Sequence, residues 1–142
     1  MSKIINFIEK KQQKKESFIE QAIFLISKED TEKYYNFIIL PIVKDKNMYQ
    51  RILIEEIFYR AIIEGFAFGL EKSRTKFHHE NNRSLPLRAI EEMTITILND
   101  YKIIKNLDEW DSLTISIMVE DVISQWYKKG YTMGKKHKNI SK

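Results

Sequence analysis

The sequence predicts an all-α protein: a compact bundle of four to five helices, with a long central helix at about 48–76 and a long C-terminal helix at about 107–136. Three observations lead there. Four Gly and two Pro in 142 residues leave little turn chemistry for building strands, so long helices with few breaks are the default. Apolar residues recur at helical spacing in segment after segment. A composition of 43% hydrophobic and 31% charged residues gives enough apolar mass for one core in one domain.

The elements follow in chain order. "EKKQQKKES", residues 9–17, is polar on all sides and cannot hold itself against a core, so residues 1–17 read as a charged arm or projecting helix and the domain as 18–136. Ser17 with Glu20 forms a capping box, followed by Phe18, Ile19, Ala22, Ile23 and Ile26 on a first helix. Ser27 or Asp30 caps a second helix through Phe37 and Ile38. Pro41 is expected to stop it, because proline pushes the preceding Leu40 out of the helical region. "KDKN", residues 44–47, reads as a turn.

From Met48 to about Lys76, Ile52, Ile57, Tyr59, Ile62, Ile63, Phe66 and Leu70 cover most of a helix, leaving a narrow polar strip of Arg51, Glu55, Arg60 and Glu64. Such a helix belongs in the middle of a bundle. Ser84 before Leu85 and Pro86 predicts a fourth helix with proline in its first turn. Leu87, Ile90, Met93, Ile97, Tyr101 and Ile104 make its one apolar stripe. Asn106 with Glu109 repeats the cap pattern for a fifth helix carrying Leu113, Ile117, Met118, Val122, Trp126 and Met133, and residues 137–142 form a basic tail.

Glycines interrupt both long helices at matching places. Gly65 and Gly69 lie four apart, as do Gly130 and Gly134, and each costs a helix about 1 kcal/mol relative to Ala. Glycines four apart share a face, and their missing side chains let another helix come close, so all four are candidate helix-crossing positions. A second reading has Gly130 simply ending the fifth helix, beside Lys128, Lys129 and Lys135. A shift of 65 residues superposes the two pairs, and also Glu55-Glu56-Ile57-Phe58 on Glu120-Asp121-Val122-Ile123. Duplication and convergence on one packing solution both account for that match.

The net charge of +4 is unevenly spread: residues 1–28 carry six Lys against three Glu and residues 128–142 carry six Lys and no acid, while the middle is net acidic. A Lys-rich end can meet phosphate or simply stay solvated. Without cysteine there is no disulfide, thiolate metal site or thiol nucleophile. The longest apolar run, "FIILPIV" at 37–43, is far short of the about 20 residues a membrane span needs. "MSKIINFIEK" has no apolar core of a secretory signal, so a cytoplasmic protein with no membrane association is expected.

"INFIEKK", "AIIEGFAFG", the pair Glu91-Glu92 and "WYKKGYTMGKKHK", in that order, resemble a family of short, uncharacterised helical proteins from bacilli and related low-GC Gram-positive bacteria, known as a domain of unknown function. The likeness spans nearly the whole chain. It departs where Tyr127 follows Trp126 in place of a second tryptophan and where Lys replaces Arg near the C-terminus. The resemblance implies a bacterial cytoplasmic protein and carries over no catalytic residue.

No constellation in the sequence favours an enzyme or a cofactor. His78-His79 has no carboxylate or third imidazole three or four residues away. Glu55-Glu56, Glu91-Glu92 and Glu120-Asp121 lack the Glu-x-x-His pairs of di-iron bundles. G-x-S-x-G, P-loop and dinucleotide fingerprints are missing. The expectation is a non-enzymatic helical interaction or regulatory protein with a protein partner, with a homodimer as one form. Trp110, Trp126, Tyr127 and Tyr131 are the candidate interface residues, although core filling competes for Trp126. The alternative is nucleic-acid association through Lys128, Lys129, Lys135, Lys136 and Lys138. It lacks a recognition helix, and the fifth helix opens on "DEWDS", which repels phosphate.

Overall fold

The computed structural model describes residues 2–74 and 85–136, and every regular element among them is helical. In order these are α1 (Ser2–Leu25), α2 (Lys28–Tyr34), a π-helical turn (Tyr35–Ile39), α3 (Leu40–Val43), α4 (Met48–Ser73), α5 (Leu87–Asp100), α6 (Ile103–Asn106) and α7 (Glu109–Lys136).

The two longest helices, α4 and α7, form the centre. They run parallel: Gly65 lies opposite Ile123, Gly69 opposite Tyr127 and Gly130, and Ser73 opposite Gly134. Gly65, Gly69 and Gly130 sit where the backbones meet, and Gly134 faces the Ser73 side chain. A Cβ on Gly69 would overlap the Tyr127 carbonyl oxygen and lie 2.6 Å from the Tyr131 nitrogen. One on Gly130 would overlap the Phe66 carbonyl oxygen and lie 2.9 Å from its carbon. The two segments matched by the 65-residue shift are thus the two halves of a single crossing. Gly130 does not end α7, which continues to Lys136.

Around this pair the core is closed by Ala22 of α1, Ile39 and Val43 of the second helical run, and Ile90 and Ile97 of α5. Tyr34 stacks on Phe58 at 5.5 Å and meets the edge of Trp126 at 5.5 Å, joining α2, α4 and α7. Each such large apolar side chain contributes on the order of 1.5–3 kcal/mol by leaving water.

Several boundaries differ from the sequence reading, each for a local reason. Ser17 is no N-cap, because α1 runs through it; its hydroxyl instead accepts from the Gln21 amide at 3.2 Å. Pro41 does not stop the second helix, and Leu40 keeps helical angles of φ −56° and ψ −47°. The turn just before it is π-helical, with the Leu40 N–H donating to Tyr35 five residues back. A turn widened in this way takes in the bulk of the proline ring and the absence of its N–H without ending the helix.

Pro86 stands at the N-cap of α5 rather than in its first turn. Its φ of −77° and ψ of 75°, with Leu87 N–H donating to Leu85, make an inverse γ-turn. The Ser84 start falls outside the described residues. The stripe through Ile104 is broken at Lys102, whose left-handed φ of 52° ends α5 and rotates the chain so that Ile103 is buried and Ile104 faces out. Asp108, not Asn106, caps α7 by accepting from Asp111 N–H at 2.7 Å. Asn106 closes α6, its amide donating to the Lys102 carbonyl at 3.0 Å.

Candidate functional site

The connection from α5 through α6 to α7 builds an open groove of about 490 Å³. Ile95, Leu98 and Asn99 of α5 form one wall, and Ser112, Leu113 and Ser116 of α7 the other. Lys102, Ile103, Ile104 and Lys105 close one end. The left-handed turn at Lys102 creates the site: had the helix continued, Ile104 would have followed the buried stripe of Ile90 and Ile97. A non-glycine residue in that conformation costs about 1–2 kcal/mol.

Large apolar side chains line this side of the molecule without cover. Ile104 is 88% exposed, Trp110 76%, and Ile95, Leu113 and Ile117 each more than half. Trp110, Leu113 and Ile117 stand at i, i+3 and i+7, so they share the outer face of α7, opposite Ile115, Val119 and Val122 in the core. A contiguous exposed apolar patch of this kind is unusual on a monomeric surface and marks interaction sites.

Charges of both signs surround the groove. Lys102 and Lys105 lie at the α6 end. One turn beyond the opposite end stand Glu91, four residues before Ile95, and Glu120, four after Ser116. All four are exposed and make no ion pair among the described residues. Asp108 and Glu109 are exposed beside the two lysines, where α7 begins, while Asp100 pairs with Arg60 at 2.7 Å and Asp111 with Lys46 at 3.2 Å.

The remaining candidates are placed differently. Trp126 and Tyr127, at 1% and 3% exposure, are core residues and present nothing to a partner: Trp126 meets the rings of Tyr34 and Phe58, and Tyr127 that of Phe68. Tyr131 is half-buried, with Lys135 5.5 Å over its ring. Lys128, Lys129, Lys135 and Lys136 are exposed, but Lys129 pairs with Asp30 at 3.2 Å and sits over Trp126. Lys138, His78 and His79 lie outside the described residues. Among those described, no group of three histidines or acids could hold a metal ion, and no helix is long and apolar enough to cross a membrane.

Polar side chains elsewhere join the helices to one another. Tyr34 donates to Asp121 at 2.6 Å, and burial, followed by that bond, pushes its phenol well above the usual range. Tyr35 donates to Glu55, which also pairs with Arg51. Burial works against the Arg60 charge, but its bonds to Glu64 and Asp100 outweigh that and hold the guanidinium firmly protonated. These groups tie α2 to α7, the π-helical turn to α4 and α4 to α5.

Of the exposed apolar side chains on this face, the sequence reading singles out Trp110 alone as a candidate interface residue. The apolar spacing places Ile104 on the stripe of the fourth helix and Leu113 and Ile117 on that of the fifth, and it does not single out Ile95. The signal available was the polar "NDYK" at 99–102, which ends in the left-handed residue without a glycine to advertise it.

A family model described as "Protein of unknown function (DUF2521)" matches residues 1–141. Neither a curated protein nor a solved structure matches the chain.

Proposed function

The chain belongs to the DUF2521 family of proteins of unknown function, and we propose that it is a non-enzymatic helical interaction protein, binding a protein partner through its α5–α6–α7 face. The observation that carries this reading is the uncovered stripe of Trp110, Leu113 and Ile117 beside the apolar groove closed by Ile104. Exposed tryptophan flanked by aliphatic side chains is the composition of binding hot spots, and a groove between two helices suits the apolar face of a third.

Nucleic-acid association through the lysine-rich end has less behind it. Lys129 is engaged by Asp30, and the exposed aromatic Trp110 stands at the acidic opening of α7 rather than among the lysines. The test is capture of the tagged full chain at native level from its source organism, with and without nuclease, alongside Leu113→Glu. The expected result is a protein partner that survives nuclease and is lost with Leu113→Glu. Partners that vanish with nuclease and are indifferent to Leu113→Glu would overturn the reading.

A further inference from the structure

We infer that the α5–α6–α7 face takes a basic amphipathic helix of its partner, with the basic side chains lying toward Glu91 and Glu120. The inference rests on the proposal that this face is a docking surface and adds the chemistry of what docks there. Its ground is the set of charged side chains around the groove. Residues 87–121 hold eight carboxylates against three basic residues, Arg88, Lys102 and Lys105. Three of the acids are neutralised: Glu92 by Arg88 at 3.6 Å, Asp100 by Arg60 and Asp111 by Lys46. Asp121 is engaged by Tyr34 and Gln125. That leaves Glu91, Asp108, Glu109 and Glu120, all exposed and outside any ion pair among the described residues, against Lys102 and Lys105.

The two ends of the groove differ. Where α6 leads into α7, Lys102 and Lys105 stand with Asp108 and Glu109, so that end is balanced. At the other end Glu91 and Glu120 have no basic answer, since Arg88 is held by Glu92 and α7 has no basic residue before Lys128. An occupant that brought acid there would be repelled, and a neutral one would leave two carboxylates at the edge of an apolar contact without a partner. Lysine or arginine satisfies both. Between the ends, the uncovered Ile95, Leu113 and Ile117 call for an apolar face, which a helix laid between two helices supplies. The chain as a whole carries +4, so the acidity belongs to this face and not to the protein's overall charge.

The test is calorimetric titration of the full chain, at low ionic strength, with three synthetic amphipathic helices that share one leucine face and differ in a polar face of lysine, glutamine or glutamate. Circular dichroism is the folding control. The lysine peptide should bind at least about tenfold more tightly than the glutamine peptide, and the glutamate peptide most weakly. The chain's overall charge of +4 predicts the opposite order, so this result cannot come from unspecific attraction. Glu91→Lys with Glu120→Lys, at two exposed positions and so expected to keep the fold, should erase the preference and leave the glutamine peptide's binding unchanged. Equal binding of all three peptides, lost with Leu113→Glu, would overturn the basic chemistry and keep the docking face, so the two failures are separable. A lysine preference that survives the double reversal would also overturn the inference, since the peptide would sit on another surface. So would a chain that binds none of the three, or one that associates with itself in sedimentation equilibrium and excludes them; the docking face is then left to the Leu113→Glu capture.

Discussion

Gly69→Ala puts one methyl group where α4 and α7 touch backbone to backbone. The new Cβ would overlap the Tyr127 carbonyl oxygen, with the Tyr131 nitrogen at 2.6 Å and the Gly130 carbonyl carbon at 3.0 Å. None of these atoms can rotate aside. The helices must separate, loosening Phe66, Leu70 and Trp126 on either side. Alanine returns about 1 kcal/mol of helix propensity, whereas overpacking of this kind costs about 1–3 kcal/mol, and a clash with backbone belongs at the upper end. The net expectation is a loss of about 1–2 kcal/mol. For a chain of this size that lowers the thermal midpoint by about 3–8 °C. Gly130→Ala, facing the Phe66 carbonyl, should match it. Gly65→Ala should cost less, because its nearest neighbours are the Ile123 oxygen at 2.9 Å and Cα at 3.0 Å. The notable case is Gly134→Ala, whose Cβ would strike the Ser73 side chain, with Leu70 Cα a tolerable 3.4 Å away. Adding Ser73→Gly should recover part of that loss, giving a coupling of about 1 kcal/mol in a double-mutant cycle. Urea melts and calorimetry provide the readings. Gly69→Ala and Gly130→Ala proteins as stable as wild type, or more so, would refute the close crossing, since alanine is the better helix former wherever space is open.

Three further outcomes follow from other parts of the fold. Lys102→Gly should stabilise the protein by about 1 kcal/mol by relieving the left-handed backbone, and a lower urea midpoint would contradict the αL assignment at φ 52°. Tyr34 is held neutral by burial and by its bond to Asp121, while the unfolded chain ionises near its ordinary pKa of about 10. The stability Tyr34 contributes is therefore full below about pH 10 and is lost as pH rises beyond it. Tyr34→Phe should cost about 1–2 kcal/mol at neutral pH and flatten the alkaline decline; a variant with the same alkaline melting profile as wild type would assign that decline elsewhere. Leu113→Glu should leave the monomer's stability within about 0.5 kcal/mol of wild type, and a large drop in its unfolding free energy would mean that the side chain is covered within one chain.

The central features of the fold could be read from the sequence because they are one-dimensional signals. Apolar spacing along α4 and α7 gave two long helices, and the paired glycines pointed to a face that approaches another backbone. What could not be read were events in which two local tendencies compete. Proline argues for a break at residue 41, yet five residues of π-helical turn absorb it. Lysine argues against a left-handed turn at 102, yet Ile103 gains burial by it. The proposed docking face depends on that second event, which turns Ile104 outward. Trp126 and Tyr127 showed the same limit from the other side: an aromatic at helical spacing looks alike whether it faces core or partner, and only the close approach of the opposing helix decides.

On the proposed function the outer face of α7 is covered when the protein works, and Trp110 reports on that cover. The chain has two tryptophans, of which Trp126 is shut in the core and Trp110 stands in solvent. Iodide quenching of the intrinsic fluorescence separates them. The prediction is one accessible and one protected tryptophan in the free chain, with the accessible one becoming protected when the captured partner is added. A Trp110 that stays equally open to iodide after the captured partner is added would contradict the proposed function.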